Sequence, residues 1–200
     1  MLISPYITVL LVPGLRDHVA DHWQTLLQAE LAAHGQKVAS VQPLEHDKLS
    51  CAARIAALDR AIAAIDGPIV LGAHSAGVLI TVHWARHVRD HMQGRLPAGK
   101  IVGALLATPA DLETPMPPGY PEVSTLAGHG WLPMPRQALP FPSLLAASRN
   151  DPLAAFERAA AMARDWGSEL VDLGQVGHLN PAAGFGPWPA AGQLLARLAR

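Results

Sequence analysis

The run Ile69-Val-Leu-Gly-Ala-His-Ser-Ala-Gly77 decides the fold. Its first half is a continuous apolar stretch suited to a strand buried on both faces, and the residues after Gly77 follow a helical period. Ser75 therefore falls at a sharp strand-to-helix turn, where a side chain stands exposed above a sheet. Gly72, Ala73, Ala76 and Gly77 are all small, so strand and helix approach closely and the backbone tolerates a strained elbow. The motif reads A-x-S-x-G rather than G-x-S-x-G, and its weight comes from the elements on either side of it.

Outward from this run the chain alternates short apolar segments with longer segments of helical period, the pattern of βαβ units and a mostly parallel sheet with helices on both faces. Six strands are predicted: Ile7 to Val12, Lys37 to Val41, Ile69 to Ala73, Ile101 to Thr108, Ser143 to Ser148 and Glu169 to Leu173. A helix is expected near Asp21, with Asp21 and Gln24 spaced as a capping box ahead of Trp23, Leu26, Leu27 and Leu31, and with Gly35 as its stop. A second carries Ile55, Leu58, Ile62 and Ile65 and ends at Gly67-Pro68. A third begins at Ser75, a fourth runs from Pro152 to Gly167, and a fifth covers Ala190 to Arg200. The stretch from Pro109 to Pro142 is rich in Pro and Gly without a clear period, which predicts a long loop over the carboxyl edge of the sheet.

Two hundred residues, half of them apolar and 16% charged, suit one domain spanning residues 1–200 with a substantial core. Fifteen basic residues against sixteen acidic ones leave no field to gather nucleic acid or an anionic membrane, so neither is an expected partner. Cys51 is the only cysteine, which excludes an internal disulfide or a multi-thiolate metal site, fits a reducing compartment, and makes a small core residue of it. The amino terminus lacks the features of an export signal, and no apolar run is long enough to span a bilayer, so the expected location is the cytoplasm.

A serine hydroxyl attacks a carbonyl only when a base removes its proton and a carboxylate orients that base. Asp151 follows the fifth strand through Arg149-Asn150, and His178 follows the sixth through Gly174-Gln-Val-Gly177. In an open α/β sheet the carboxyl ends of the strands share one edge, so Ser75, Asp151 and His178 are candidates to converge as nucleophile, acid and base. Donors for a tetrahedral oxyanion are expected from the amides of Ala76, at a helix amino terminus, and Leu15, in the loop Pro13-Gly14-Leu15. His74 and Trp188 are possible pocket residues, and no metal or other cofactor is expected.

Several blocks then resemble small serine hydrolases of the α/β-hydrolase superfamily related to retinoblastoma-binding protein nine. They are Val12-Pro-Gly14 with Asp21-His-Trp-Gln24, Ala73 to Gly77, Pro109-Ala-Asp111, Pro142-Ser143 leading to Ser148-Arg-Asn-Asp-Pro152, and Gly177-His-Leu-Asn180 followed by Gly184-Phe-Gly-Pro-Trp188. The resemblance implies a minimal α/β-hydrolase fold without a large cap domain, triad positions for Ser75, Asp151 and His178, and hydrolysis of small carboxylic esters. Vertebrate relatives bind a pocket protein through L-x-C-x-E. Here the nearest match is Leu49-Ser-Cys51-Ala-Ala53, which lacks the carboxylate, so that partner is not implied and a protein partner is unknown.

Plainer readings stand beside these. Asp151 would serve as the cap of a helix starting at Pro152, with Asp111 the rival carboxylate. His83, His87 and His91 share a helical face at a spacing that suits a metal, yet surface histidines near a helix carboxyl end read more simply. Trp23, Trp84 and Trp166 read as packing residues. The rival functions are a non-catalytic interaction module that binds a protein through the Pro109 to Pro142 loop, and a thioesterase, peptidase or acyltransferase using the same triad.

Overall fold

The computed structural model describes residues 3–91 and 99–200. Six strands, β1 (Thr8–Val12), β2 (Val38–Ser40), β3 (Ile69–His74), β4 (Ile101–Ala107), β5 (Ser143–Ala147) and β6 (Glu169–Asp172), form one sheet in the order β2-β1-β3-β4-β5-β6. Every adjacent pair is parallel. The central strands are wholly buried because apolar side chains point to both faces, as parallel packing between helix layers requires.

Helices α1 (Trp23–Ala33), α2 (Cys51–Ala63), α3 (Ala76–His91), α4 (Val123–Gly128), α5 (Phe156–Trp166) and α6 (Pro189–Leu198) complete the layers. The two-residue period of the strands divides the core. Val9 and Leu11 of β1 join Trp23 and Leu27 of α1 and Leu195 of α6, while Leu10 and Val12 belong to the core on the other face, with residues of α2, α3 and α5. Cys51 is buried at the start of α2. Among the described residues no helix is long and apolar enough to cross a membrane.

Four local expectations need correction. The capping box at Asp21 does not form: His22 caps α1, its Nδ1 accepting from the amide of Gln24, and the Gln24 side chain turns inward. The fourth helix starts at Phe156 rather than Pro152, because the Asp151 carboxylate accepts the Leu153 amide at 2.8 Å and turns the chain first. The stretch after Pro109 contains α4, and its Leu126, Trp131 and Met134 are buried. Arg158 pairs with Asp111, Arg136 with Asp165, and the Trp131 indole donates to the carbonyl of Leu49, so the stretch is fastened to the loop before α2 and to α5.

His83 supplies the fourth correction, since it is buried rather than on the surface. Its Nε2–H donates to the carbonyl of Trp131 at 3.0 Å while Nδ1 accepts from Arg86. Burial, with the nearby Arg86 charge, pushes its pKa down to about 4. The side chain of His91 lies outside the described residues, and among those described no three ligating side chains gather at a metal site.

Candidate active site

Ser75 follows the last residue of β3, with φ of 57°, a left-handed conformation that costs a serine roughly 1–2 kcal/mol. Neighbouring contacts hold it there. Its amide donates to the carbonyl of Ala107 on β4, and Val78 of α3 donates back to the Ser75 carbonyl. Gly77 makes the tight turn possible, because a Cβ at that position would lie 2.1 Å from the carbonyl oxygen of Val12. Gly14 also approaches Ser75: a Cβ there would lie 3.2 Å from the serine Cβ.

The carboxyl ends of β5 and β6 bring Asp151 and His178 to the same edge. His178 Nε2 lies 2.8 Å from Ser75 Oγ, and His178 Nδ1 lies 2.9 and 3.0 Å from the Asp151 carboxylate oxygens. An ionised carboxylate only accepts, so Nδ1 carries the proton and Nε2 is free to accept the serine hydroxyl. The side chains of His178 and Asp151 are 6% and 2% exposed, so this chain of hydrogen bonds is screened from water along most of its length. Asp111, the rival carboxylate, is instead held by both nitrogens of the Arg158 fork, and these bonds keep its pKa below the usual carboxylate value against the opposing effect of burial.

Tertiary bonds fix the loop that carries His178. The amides of Val176 and Gly177 donate to Ser148 Oγ and Asn150 Oδ1, at 3.2 and 2.7 Å. From the other side, His74 Nε2–H donates to the carbonyl of His178 at 2.9 Å. The rings of His22, His74 and His178 form a column, with centroids 4.5 and 4.9 Å apart. Burial holds the His74 pKa well below its ordinary value, and burial together with His178 lowers that of His22 to about 4. Both neighbours of His178 are therefore neutral near pH 7.

A cavity of about 330 Å³ opens at Ser75 and is lined by Leu15, Ala76, His74 and His178 among others. Ala76 is the first residue of α3, where an amide has no carbonyl a turn behind it, and Leu15 is the second residue of a turn closed by the Asp17 amide on the Gly14 carbonyl. Trp188 does not line this cavity, contrary to expectation. It packs edge-on against Trp23 at 5.0 Å, within the core beneath α1 and α6.

Two residues the sequence reading did not assign to the site bind its loops. Gln24 Nε2 donates to the carbonyls of Val12 and Gly72, tying α1 to β1 and β3. Arg54 of α2 pairs with Asp17 and donates to the carbonyls of Lys48 and Leu15. Most of these partners lie well off in sequence and several are backbone carbonyls, which leave no mark in residue spacing.

A parallel sheet flanked by helices, with a serine on the β3 elbow and a histidine and an aspartate beyond the last two strands, defines an α/β hydrolase. The chain belongs to the serine hydrolase family, whose model matches residues 9–197, and its general activity is hydrolysis. A protein from Pectobacterium atrosepticum described as a YdeN-like hydrolase is 31% identical, covering 98% of this chain and 92% of that one, with a TM-score of 0.77. The YdeN protein of Bacillus subtilis is 16% identical over 96% of this chain and 97% of its own, with a TM-score of 0.70. Est1E of Butyrivibrio proteoclasticus, in its complex with ferulic acid, is 13% identical over 95% and 86%, with a TM-score of 0.65, and shares the fold. No curated protein sequence matches the chain.

Proposed function

We propose that the protein hydrolyses small carboxylic esters through an acyl-enzyme formed on Ser75. The single observation that carries this reading is the continuous contact from Asp151 through His178 to Ser75 Oγ, at 2.9 and 2.8 Å. His178 Nε2 takes the hydroxyl proton as Ser75 Oγ bonds to the ester carbonyl carbon, and the carbonyl π electrons move onto oxygen. The amides of Leu15 and Ala76 donate to that oxyanion. The oxyanion then collapses, the carbon–oxygen bond to the alcohol breaks, and His178 returns its proton to the departing alkoxide.

Deacylation repeats the sequence with water. His178 removes a proton from water, hydroxide adds to the acyl carbon, and Ser75 leaves with the proton restored to it. Asp151 accepts from Nδ1 throughout, holds the ring in the productive tautomer and stabilises the imidazolium. The neutral His74, tilted against the ring of His178, and the neutral His22 beyond it supply no competing charge.

The test is labelling with a fluorophosphonate followed by peptide mapping, together with turnover of a chromogenic short-chain ester. The probe is expected on Ser75, and Ser75→Ala is expected to abolish turnover while leaving the circular dichroism spectrum unchanged. Full activity in Ser75→Ala would remove this serine from the mechanism.

A further inference from the structure

The charges around the cavity do not cancel, and this deepens the acyl-transfer reading, on which it rests. The turn 14–17 forms one wall. Asp17 adopts a left-handed φ of 54° and its carboxylate is taken up by Arg54, a pair whose side chains are only 12% and 6% exposed. Arg54 also donates to the carbonyls of Leu15 and Lys48. One buried guanidinium therefore neutralises the one carboxylate that, among the described residues, lines the cavity, and sets the course of the backbone on both sides of it.

Arg16 is treated differently. Its guanidinium lies over the ring of Tyr120, 5.6 Å from the centroid, and both residues line the cavity. Among the described residues no carboxylate pairs with it, as none pairs with Arg60, Arg86 or Arg164, but of these unpaired arginines Arg16 alone lines this cavity, whereas the cavity's other arginine neighbour, Arg54, is held by Asp17. Lys48 also lines the cavity, next to the Arg54 clamp, and has no acidic partner either. The two other imidazoles at the wall, His22 and His74, are neutral near pH 7. The remainder of the wall is largely apolar, with Leu112, Met116 and Leu153 facing the space.

We infer that the preferred substrate carries an anionic group, such as a carboxylate or a phosphate, at a distance from its scissile carbonyl, and that Arg16, steadied on Tyr120, binds that group. Arg16 is exposed, and a guanidinium held on an aromatic face beside an apolar wall keeps its donors available to an anion. The anion comes either from the acyl part, as in a dicarboxylic monoester, or from the alcohol part.

Three 4-nitrophenyl-type esters separate these sources: the hexanoate, the monoglutarate with its charge on the acyl side, and the hexanoate of 3-carboxy-4-nitrophenol with its charge on the leaving group. At low salt one anionic ester is expected to exceed the neutral hexanoate in kcat/KM by about fivefold or more, the range of a charge-assisted contact at a partly exposed site. That preference is expected to vanish in Arg16→Gln, to survive in large part in Arg16→Lys, and to shrink near 1 M salt, where screening acts over about 3 Å. A preference ratio unchanged in Arg16→Gln, or a wild type that favours the neutral ester over both charged ones, would overturn the inference.

Calorimetric titration of Ser75→Ala protein with hydrolysis-resistant anilides reads the anion site without turnover. Hexanoanilide, glutaric monoanilide and N-hexanoyl-3-aminobenzoate serve as the neutral, acyl-anion and leaving-side ligands. If no ester is turned over, the acyl-transfer reading fails, yet Arg16-dependent tighter binding of a charged anilide still supports the anion site. If neither charged anilide binds more tightly than the neutral one, the anion site falls while the acyl-transfer reading stands or falls on its own labelling result.

Discussion

Replacing Gly77 with alanine puts a methyl group where the backbone leaves no room. Its Cβ would lie 2.1 Å from the Val12 carbonyl oxygen, 2.8 Å from that of Pro13 and 2.9 Å from the Val12 carbonyl carbon. Carbon and oxygen meet comfortably at about 3.3 Å, so the two segments must part by roughly 1 Å. All three obstructing atoms are backbone, and the Val12↔Ala73 register of β1 against β3 resists their movement. Forcing one methylene into a packed interior costs about 1–3 kcal/mol, and a backbone obstacle places Gly77→Ala at about 3 kcal/mol, a large share of a typical total of about 5–15 kcal/mol. With a urea slope of about 3 kcal/mol per M, the unfolding midpoint followed by tryptophan fluorescence should fall by about 1 M. Turnover should drop as well, since Ser75 and Ala76 adjoin the displaced segment. Gly192→Ala is the matched control: it lies inside α6 with nothing within 4 Å of its added Cβ, and should gain about 0.5–1 kcal/mol from helix propensity. An unchanged midpoint in Gly77→Ala, or a greater loss in Gly192→Ala, would refute the reasoning.

Asp151→Asn should keep the fold, because its side-chain oxygen still accepts the Leu153 amide, and should lower kcat by about 10³–10⁴-fold through the wrong tautomer of His178; single-turnover kinetics on an activated ester checks it. Stability should decline on acidification through the histidine range. The folded pKa of His83 is about 4 against 6.5 when unfolded, so the unfolded chain binds the extra proton and stability is lost as pH falls from about 6.5 to about 4. That loss is at most about 3 kcal/mol for this residue, and His83→Gln, which keeps a donor without titrating, should flatten the pH dependence of the urea midpoint by that share.

The sheet was legible because its central strands are apolar on both faces, which is a local property of residues such as Ile69-Val-Leu and Ser143-Leu-Leu. The order of Ser75, Asp151 and His178 along the chain was likewise open to reading, since each directly follows a predicted strand and parallel strands end on one edge. What escaped is set by partners remote in sequence. Gln24 sits where a capping box would place it, but two carbonyls, on β1 and β3, lie within reach of its amide and draw it inward. His83 occupies a polar-looking position on α3 and is buried only because the stretch after Pro109 folds Trp131 across it. Trp188 follows the loop carrying His178 closely enough to suggest a pocket wall, and the pull of Trp23 on the opposite face decides otherwise.

All three side chains of the Ser75 chain sit past carboxyl ends of strands, so the turns at the other rim of the sheet, around residues 34–37, 66–68 and 167–168, bear no part of the proposed chemistry. The molecule is thereby split into a working end and a spare end. Gly35 has open space around it, which makes the spare end the natural place for an affinity tag, a fluorophore or a surface tether that leaves substrate access undisturbed.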